Sequence, residues 1–219
     1  MKTALIFLSG GKGLRMASAT PKQYLSLRGK PIVLHSLKVF QSIPEIEEIV
    51  IVCSSGYSSV FGKDFTFALP GERRQDSVWN GLQKVSREAK LICIHDGARP
   101  FIQKKEILEV LKCARQQGAS ALGTPVPYTI KKCDSTKKVE ATLDRNSLWQ
   151  MQTPQVIRKD LLEEGFSIAQ KNNLTVTDDI ALAELANGSV QVVPGSVKNL
   201  KITTPLDLEF AEMIYEKTI

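Results

Sequence analysis

A few side chains in this 219-residue sequence have types and spacings that suit chemistry on phosphates. Arg15 and Lys22 follow the run Ser9-Gly10-Gly11-Lys12-Gly13. His95-Asp96-Gly97-Ala98-Arg99-Pro100 sets a carboxylate three residues from a guanidinium, and Lys201 lies within Asn199-Leu200-Lys201-Ile202-Thr203-Thr204-Pro205. Glycines directly after an apolar run let backbone N–H groups converge without Cβ obstruction, and such a nest binds phosphate oxygens. Arg15 and Lys22 add positive charge beside it. An Asp at a strand's carboxyl end can reach a magnesium ion that sits on phosphates, since this metal takes one or two carboxylates plus phosphate oxygens. Arg99 can grip a phosphate bidentately or pair structurally with the Asp. A lysine in an apolar run, like Lys201, needs an anionic partner.

The sequence has two histidines, His35 and His95, and no Ser–His–Asp or Cys–His arrangement is visible. Nucleotidyl transfer from a triphosphate to a phosphate monoester tolerates that lack. The attacking oxygen is already ionised, its second pKa being about 6. What the reaction requires is positioning, a metal and positive charge around the phosphorus.

The glycine loop itself excludes the two commonest alternatives. A P-loop ends in Gly-Lys-Ser/Thr, whereas Leu14 follows Gly13; a dinucleotide fingerprint started at Gly11 would place its third glycine at Met16. A second loop, Gly71-Glu72-Arg73-Arg74-Gln75-Asp76-Ser77, opens a helix whose amides and Ser77 can read a base edge or an anion. Asp144-Arg145-Asn146, Gln152-Thr153-Pro154-Gln155 and Thr177-Asp178 each offer a cation or hydroxyl near the end of an element.

The elements that must position these groups alternate. Strand-like runs fall at Thr3–Leu8, Ile49–Cys53, Phe65–Leu69, Leu91–His95 and Ala119–Val126, separated by helical patterns at Pro31–Ser42, Gln75–Ser86 and Lys104–Gln117. That order predicts an α/β fold: a Rossmann-like, mostly parallel sheet with helices on both faces and ligands beyond the carboxyl ends of the strands. Tyr128–Lys132 and Lys137–Leu143, joined at Asp134-Ser135-Thr136, read as a polar hairpin. Such a hairpin is marginal alone, which suggests an arm that packs on a partner, spanning about 127–145. Helices at Arg158–Lys171, Asp178–Asn187 (with Thr177 and Asp178 as N-cap candidates) and Pro205–Lys217 follow, with strands at Val190–Val193 and Leu200–Thr203. Residues 1–219 read as a single domain.

Composition narrows the classes further. Hydrophobic residues at 42% and charged residues at 24% are ordinary for a globular chain. The net charge of +6 raises the possibility of nucleic acid, but the basic residues are dispersed and aromatics make up 6%. A field that draws in small anions explains the charge as well. No apolar run approaches the roughly 20 residues that span a bilayer. No signal or transit peptide is evident, so the expected compartment is the cytoplasm. The four cysteines, Cys53, Cys93, Cys113 and Cys133, lack zinc-like spacing, and Cys53 and Cys93 suit buried thiols.

Taken together, Leu8–Met16, Pro21–Leu25, Asp76-Ser77-Val78, His95–Pro100, Asp144–Trp149 with Thr153-Pro154-Gln155, Thr177-Asp178 and Asn199–Leu208 resemble the cytidylyltransferases that act on 2-C-methyl-D-erythritol 4-phosphate in the non-mevalonate isoprenoid pathway. The resemblance covers nearly the whole chain. It implies a CTP-dependent, magnesium-assisted homodimer. Arg15, Lys22, Arg145 and Lys201 would be catalytic. Leu8, Ser9, Gly10, Gly11, Lys12, Gly13, Gly71, Ser77, Asp96 and Gly97 would hold the nucleotide, with Asp96 also on the metal. Arg99, Arg145, Thr153, Thr177 and Lys201 would line the acceptor site, Arg145 serving the neighbouring subunit through the arm. The sequence departs from that pattern at Gly97, where alanine is usual, at Pro127-Tyr128, and at Arg73 and Gln75. Ribitol-5-phosphate cytidylyltransferases share the glycine loop and the Asn-x-Lys-Ile-Thr-Thr-Pro stretch and are the alternative; Asp144–Trp149 and the segment from Thr177 to Glu184 favour the methylerythritol enzymes.

Overall fold

The structure, a computed structural model, describes residues 1–11, 13–16 and 18–216. The strands are β1 (Thr3–Leu8), β2 (Ser26–Leu27), β3 (Lys30–Pro31), β4 (Ile46–Val52), β5 (Thr66–Ala68), β6 (Leu91–Asp96), β7 (Ala119–Pro125), β8 (Ile130–Cys133), β9 (Val139–Leu143), β10 (Trp149–Arg158) and β11 (Val190–Pro194). The helices are α1 (Ile32–Gln41), α2 (Arg74–Leu82), α3 (Lys104–Gln117), α4 (Lys159–Lys171), α5 (Ile180–Leu185) and α6 (Pro205–Glu216).

Seven strands form the central sheet in the order β11-β7-β10-β6-β1-β4-β5. β1 is the organising strand. Its side chains alternate between faces, as the pleat requires. Ala4 and Ile6 join one core with Val78, Leu82, Leu162, Phe166 and Leu182 from α2, α4 and α5. Leu5 and Phe7 join the other with Val33, Phe40, Ile107, Val110 and Leu111 from α1 and α3. A strand buried on both faces reads as a continuous apolar run, which is why β1 and β6 were legible in the sequence.

The helix ends carry ordinary signals. Gln103 and Glu106 form a capping box at the start of α3, and Gly118 closes the helix at φ 96°. At α2, Asp76 accepts from the Arg73 amide at 2.9 Å. At α5 the expected caps are supplemented from elsewhere: Gln155 of β10 accepts from the amides of Asp179 and Ile180 at 2.8 and 3.0 Å, while Asp178 accepts from Ala181 at 3.3 Å.

Several findings differ from the sequence reading, among them α2, which ends at Leu82 rather than Ser86. β10, unforeseen, runs antiparallel between β6 and β7, with its register broken between Met151 and Gln155 around a cis Thr153–Pro154 bond. The predicted strand at Leu200–Thr203 does not form. Leu200 and Ile202 instead pack into a small third core with Leu27, Ile32, Leu208 and Ala211, and the Ile202 amide bonds to Ala98 O. α5 is shorter than predicted, ending at Leu185. The expected hairpin is present as β8–β9, closed by Asp134, whose Oδ1 accepts from the amides of Thr136 and Lys138. Every residue of β9 is exposed.

Candidate active site

Strand register brings the scattered motifs to one level. Leu8 stands opposite Asp96 on one side and Val52 on the other, and Val52 stands opposite Ala68. The three chain segments leaving these strands therefore emerge side by side: the glycine loop after β1, the 69–73 loop after β5 and the 97–100 loop after β6. Gly10 lies so close to Pro70 that a Cβ on it would come within 2.4 Å of Pro70 Cβ. A Cβ on Gly71 would meet Asp76 Cβ at 2.4 Å, and Ser77 Oγ accepts from the Gly71 amide at 3.0 Å, closing that loop. Gly97 donates to Leu8 O at 2.8 Å. Leu8, Gly71, Ser77 and Gly97 thus lie at the carboxyl ends of β1, β5 and β6.

Asp96 is the electrostatic centre. It is 7% exposed, and Oδ2 lies 2.6 Å from Lys201 Nζ while Oδ1 accepts from Arg74 Nε at 3.1 Å. Burial works against its charge, yet Arg74, Lys201 and Arg99 hold its carboxyl well below the usual carboxylate range. Asp96 is an ionised, acceptor-only group at neutral pH. The anionic partner that the sequence demanded for Lys201 is this carboxylate. Leu200 and Ile202, anchored in the third core on either side of Lys201, leave the lysine facing it.

Lys22 sits on a 3-10 turn, Lys22–Tyr24, and is 9% exposed. Burial, with the neighbouring charges of Lys201 and Arg15, pushes its ammonium down to about 8. Arg15 is itself exposed, on the turn Leu14–Met16. Gly13 lies alongside Lys22 at φ 66°, with Lys22 N 3.0 Å from where its Cβ would stand, while Ser9 and Gly11 are bonded to the next residue, Gln23. Lys12 lies outside the described residues.

Several residues form the layer behind Asp96. The Thr153 hydroxyl accepts from the Asp96 amide at 3.0 Å and lies 3.2 Å from His95 Nδ1, whose Nε2 faces Arg99 O. A carbonyl can only accept, so Nε2 carries the proton and Thr153 donates to Nδ1. Burial pushes this imidazole down to about 3, leaving it neutral. Arg99 donates to Asn199 O at 2.7 Å, and its buried Nε has no hydrogen-bond partner among the described residues, standing 4.0 Å from Asp96 Oδ2. Thr177 is exposed on the segment before α5. Arg145 is also exposed, at the base of the arm, bonded to Pro127 O at 3.0 Å. No hydrogen bond or ion pair among the described residues joins Arg145 to the Asp96 cluster.

Sequence reasoning missed Arg74 and Asp179. Arg74 makes two 2.8 Å bonds to the carboxylate of Asp179, which is 1% exposed, while holding Asp96. Arg74 lies inside a motif that was singled out, but nothing local reveals partners 22 and 105 residues away. Arg73 and Gln75 tie the same loop to the segment before α5. Arg73 donates to Thr175 Oγ1 at 3.1 Å, and Gln75 accepts from Val176 N at 2.9 Å.

A hollow of about 620 Å³ between Arg87, Lys90, Arg158 and Lys159 lies at the other end of the sheet, and none of the predicted site residues line it. The cations Arg74, Lys201 and Arg99 converge instead on Asp96, at the carboxyl end of β6.

Comparison with known proteins identifies the family of the chain. The family described as 2-C-methyl-D-erythritol 4-phosphate cytidylyltransferase matches residues 3–217. The chain is similar to the enzyme of that name from Chlamydia pneumoniae, at 46% identity over 98% of this chain and 99% of the relative. It is equally similar to the chloroplastic enzyme of that name from Oryza sativa subsp. japonica, at 46% identity over 96% of this chain and 73% of the relative. Among solved structures, it resembles the 4-diphosphocytidyl-2C-methyl-D-erythritol synthase of Anaerococcus prevotii, with a TM-score of 0.86, 26% identity and 98% coverage of both chains.

Proposed function

The chain belongs to the 2-C-methyl-D-erythritol 4-phosphate cytidylyltransferase family, and from that premise we infer how its residues carry the reaction. It is a CTP-dependent cytidylyltransferase of isoprenoid precursor biosynthesis. The acceptor phosphate of methylerythritol phosphate attacks the α-phosphorus of CTP, a new P–O–P bond forms, and pyrophosphate leaves with the electron pair of the broken bond. The packing of Lys22 against Gly13 of the glycine loop, together with the Lys201–Asp96 ion pair, is the observation that supports the assignment of roles.

Lys22 and Arg15 stabilise the charge that builds on the equatorial oxygens of the α-phosphorus. Little reorganisation is needed, because Lys22 is already desolvated among fixed neighbours. Ser9, Gly10, Gly11, Lys12 and Gly13 cradle the triphosphate, with Gly71 and Ser77 shaping the base-side loop. Lys201, resting on Asp96, and Arg145 orient the acceptor phosphate, with Thr177 at the rim. Thr153 and Arg99 act from behind: Thr153 fixes the Asp96 backbone, and Arg99 bridges Asp96 to Asn199. No general base is assigned, since the nucleophile is ionised at neutral pH.

Magnesium fits this donor set. No group of three potential ligands gathers among the described residues, so a metal brought in on the triphosphate and held by Asp96 is the chemically consistent arrangement. When bound, it neutralises phosphate charge and helps the pyrophosphate depart.

A second copy completes the site. The arm exposes Tyr128, Val139 and Leu143, and Trp149 is exposed just beyond it at the start of β10, an apolar set that an isolated two-stranded hairpin cannot bury. Packing against another protomer covers it and carries Arg145 to the neighbour's site. No helix among the described residues is long and apolar enough to cross a membrane. Four unpaired cysteines suit a reducing compartment, and we place the enzyme in the cytoplasm.

The test is pyrophosphate release from CTP and magnesium with methylerythritol phosphate or ribitol 5-phosphate as acceptor. Turnover with the first and little with the second is expected. Preference for ribitol 5-phosphate would refute the acceptor assignment.

A further inference from the structure

Gln23 follows Lys22 directly but has no part in the chemistry described above. It is 3% exposed, and its single side-chain NH₂ reaches two carbonyls of the glycine loop, Ser9 O at 2.7 Å and Gly11 O at 2.9 Å. Tyr24 adds a third bond, its hydroxyl donating to Ser9 O at 2.9 Å while accepting from Ser9 Oγ at 2.8 Å. The Tyr24 ring is backed by Tyr57, stacked at 4.0 Å and 6°. The loop is thus pulled by its carbonyls onto the 3-10 turn that carries Lys22. A peptide's N–H points opposite to its C=O, so tying Ser9 O to Gln23 turns the Gly10 amide away from Gln23 and leaves it free for a phosphate oxygen. Contact between Gly13 and the Lys22 backbone brings the loop and that turn together from the other side.

We propose that Gln23 is a positioning residue for CTP over CMP: it holds the Ser9–Gly13 loop in its phosphate-binding shape and fixes the distance from that loop to the Lys22 ammonium. This rests on the reading of the loop as a triphosphate cradle. The cytidine end, held at the Gly71–Ser77 loop, does not depend on Gln23. Loss of Gln23 therefore removes β- and γ-phosphate recognition while sparing the nucleoside.

The experiment is equilibrium binding of CTP and of CMP, each with magnesium and without acceptor, to wild type, Gln23→Met and Gln23→Glu, alongside turnover and urea midpoints. Met keeps the length and removes both donors. Glu keeps the shape but faces two carbonyl oxygens and a triphosphate with a carboxylate. The wild type is expected to prefer CTP. Gln23→Met should weaken CTP binding about tenfold or more and leave CMP within about twofold, with kcat falling in parallel; Gln23→Glu should weaken CTP further. Equal loss for CTP and CMP, or no loss for either, overturns the proposal. If neither Gln23 variant folds, Tyr24→Phe deletes both hydroxyl bonds to Ser9, at O and at Oγ, and keeps the ring stack. It should still lower the CTP-to-CMP preference by about two- to fivefold, and an unchanged ratio counts against the proposal. A wild type that does not prefer CTP refutes the cradle itself, an outcome visible without any variant.

Discussion

Replacing Lys22 with methionine should make the ligand-free protein more stable and nearly inactive. Burial and the nearby cations Lys201 and Arg15 lower the Lys22 ammonium from 10.5 to about 8. That displacement corresponds to about 3 kcal/mol by which the folded protein disfavours the charged form. Below pH 8 the ammonium is charged in both folded and unfolded chains, so the folded state carries the full cost. Between about 8 and 10.5 the unfolded chain binds more protons, and wild-type stability gains with rising pH. Methionine has no such titration and fills similar space. Urea unfolding of the two proteins without nucleotide should therefore show Lys22→Met ahead by up to about 3 kcal/mol at pH 7, with the advantage shrinking as pH approaches 10.5. Turnover should fall by about a thousandfold, with CTP affinity changing much less, because Lys22 acts mainly on charge that develops at the transition state. A variant less stable than wild type at pH 7, or a stability gain that does not vary with pH, would refute the reasoning about Lys22's surroundings. Equal losses in turnover and CTP binding would refute its catalytic role.

The same titration predicts that kcat/KM for CTP declines as pH rises through about 8, read from a rate profile, and a profile flat to about pH 9.5 would contradict it. Arg145→Ala and Lys22→Ala proteins, each inactive alone, should recover part of the wild-type rate when mixed under conditions of subunit exchange, since one hybrid site then holds both native residues; exchange without recovery would mean that Arg145 serves its own subunit. Gly165→Ala should lower stability by about 1–3 kcal/mol in urea unfolding, because its Cβ would stand 2.1 Å from Leu182 O where α4 meets α5, and an unaffected midpoint would count against that close packing.

The limits of sequence reading show in particular elements. β10, Trp149–Arg158, contains three glutamines and a proline, a pattern that does not read as a buried strand. Pro154 lacks a ladder donor, which demotes a strand on paper. In the fold it falls where the register with β7 lapses, between Met151 and Gln155. Gln152 and Gln155 are buried because their amides serve backbone groups, Ser196 O in one case and the α5 amides in the other. The opposite error occurred at Leu200–Thr203. Its apolar alternation reflects packing into the third core, with no neighbouring strand to pair it.

What the sequence settled alone were properties decided by near neighbours. They include the apolar runs of β1 and β6, the periodic faces of α1 and α3, the glycine loop, the arm's turn at Asp134, and an inventory of cations that suits a reaction with an ionised nucleophile. Tertiary structure decided which charges meet. Lys201 finds Asp96, and Arg74 divides itself between Asp96 and Asp179, across chain separations that no local pattern encodes. The reason is physical. Conformational preference and hydrophobic periodicity act over a few residues, whereas an ion pair depends on where strand register, helix packing and the small third core bring the chain back to itself.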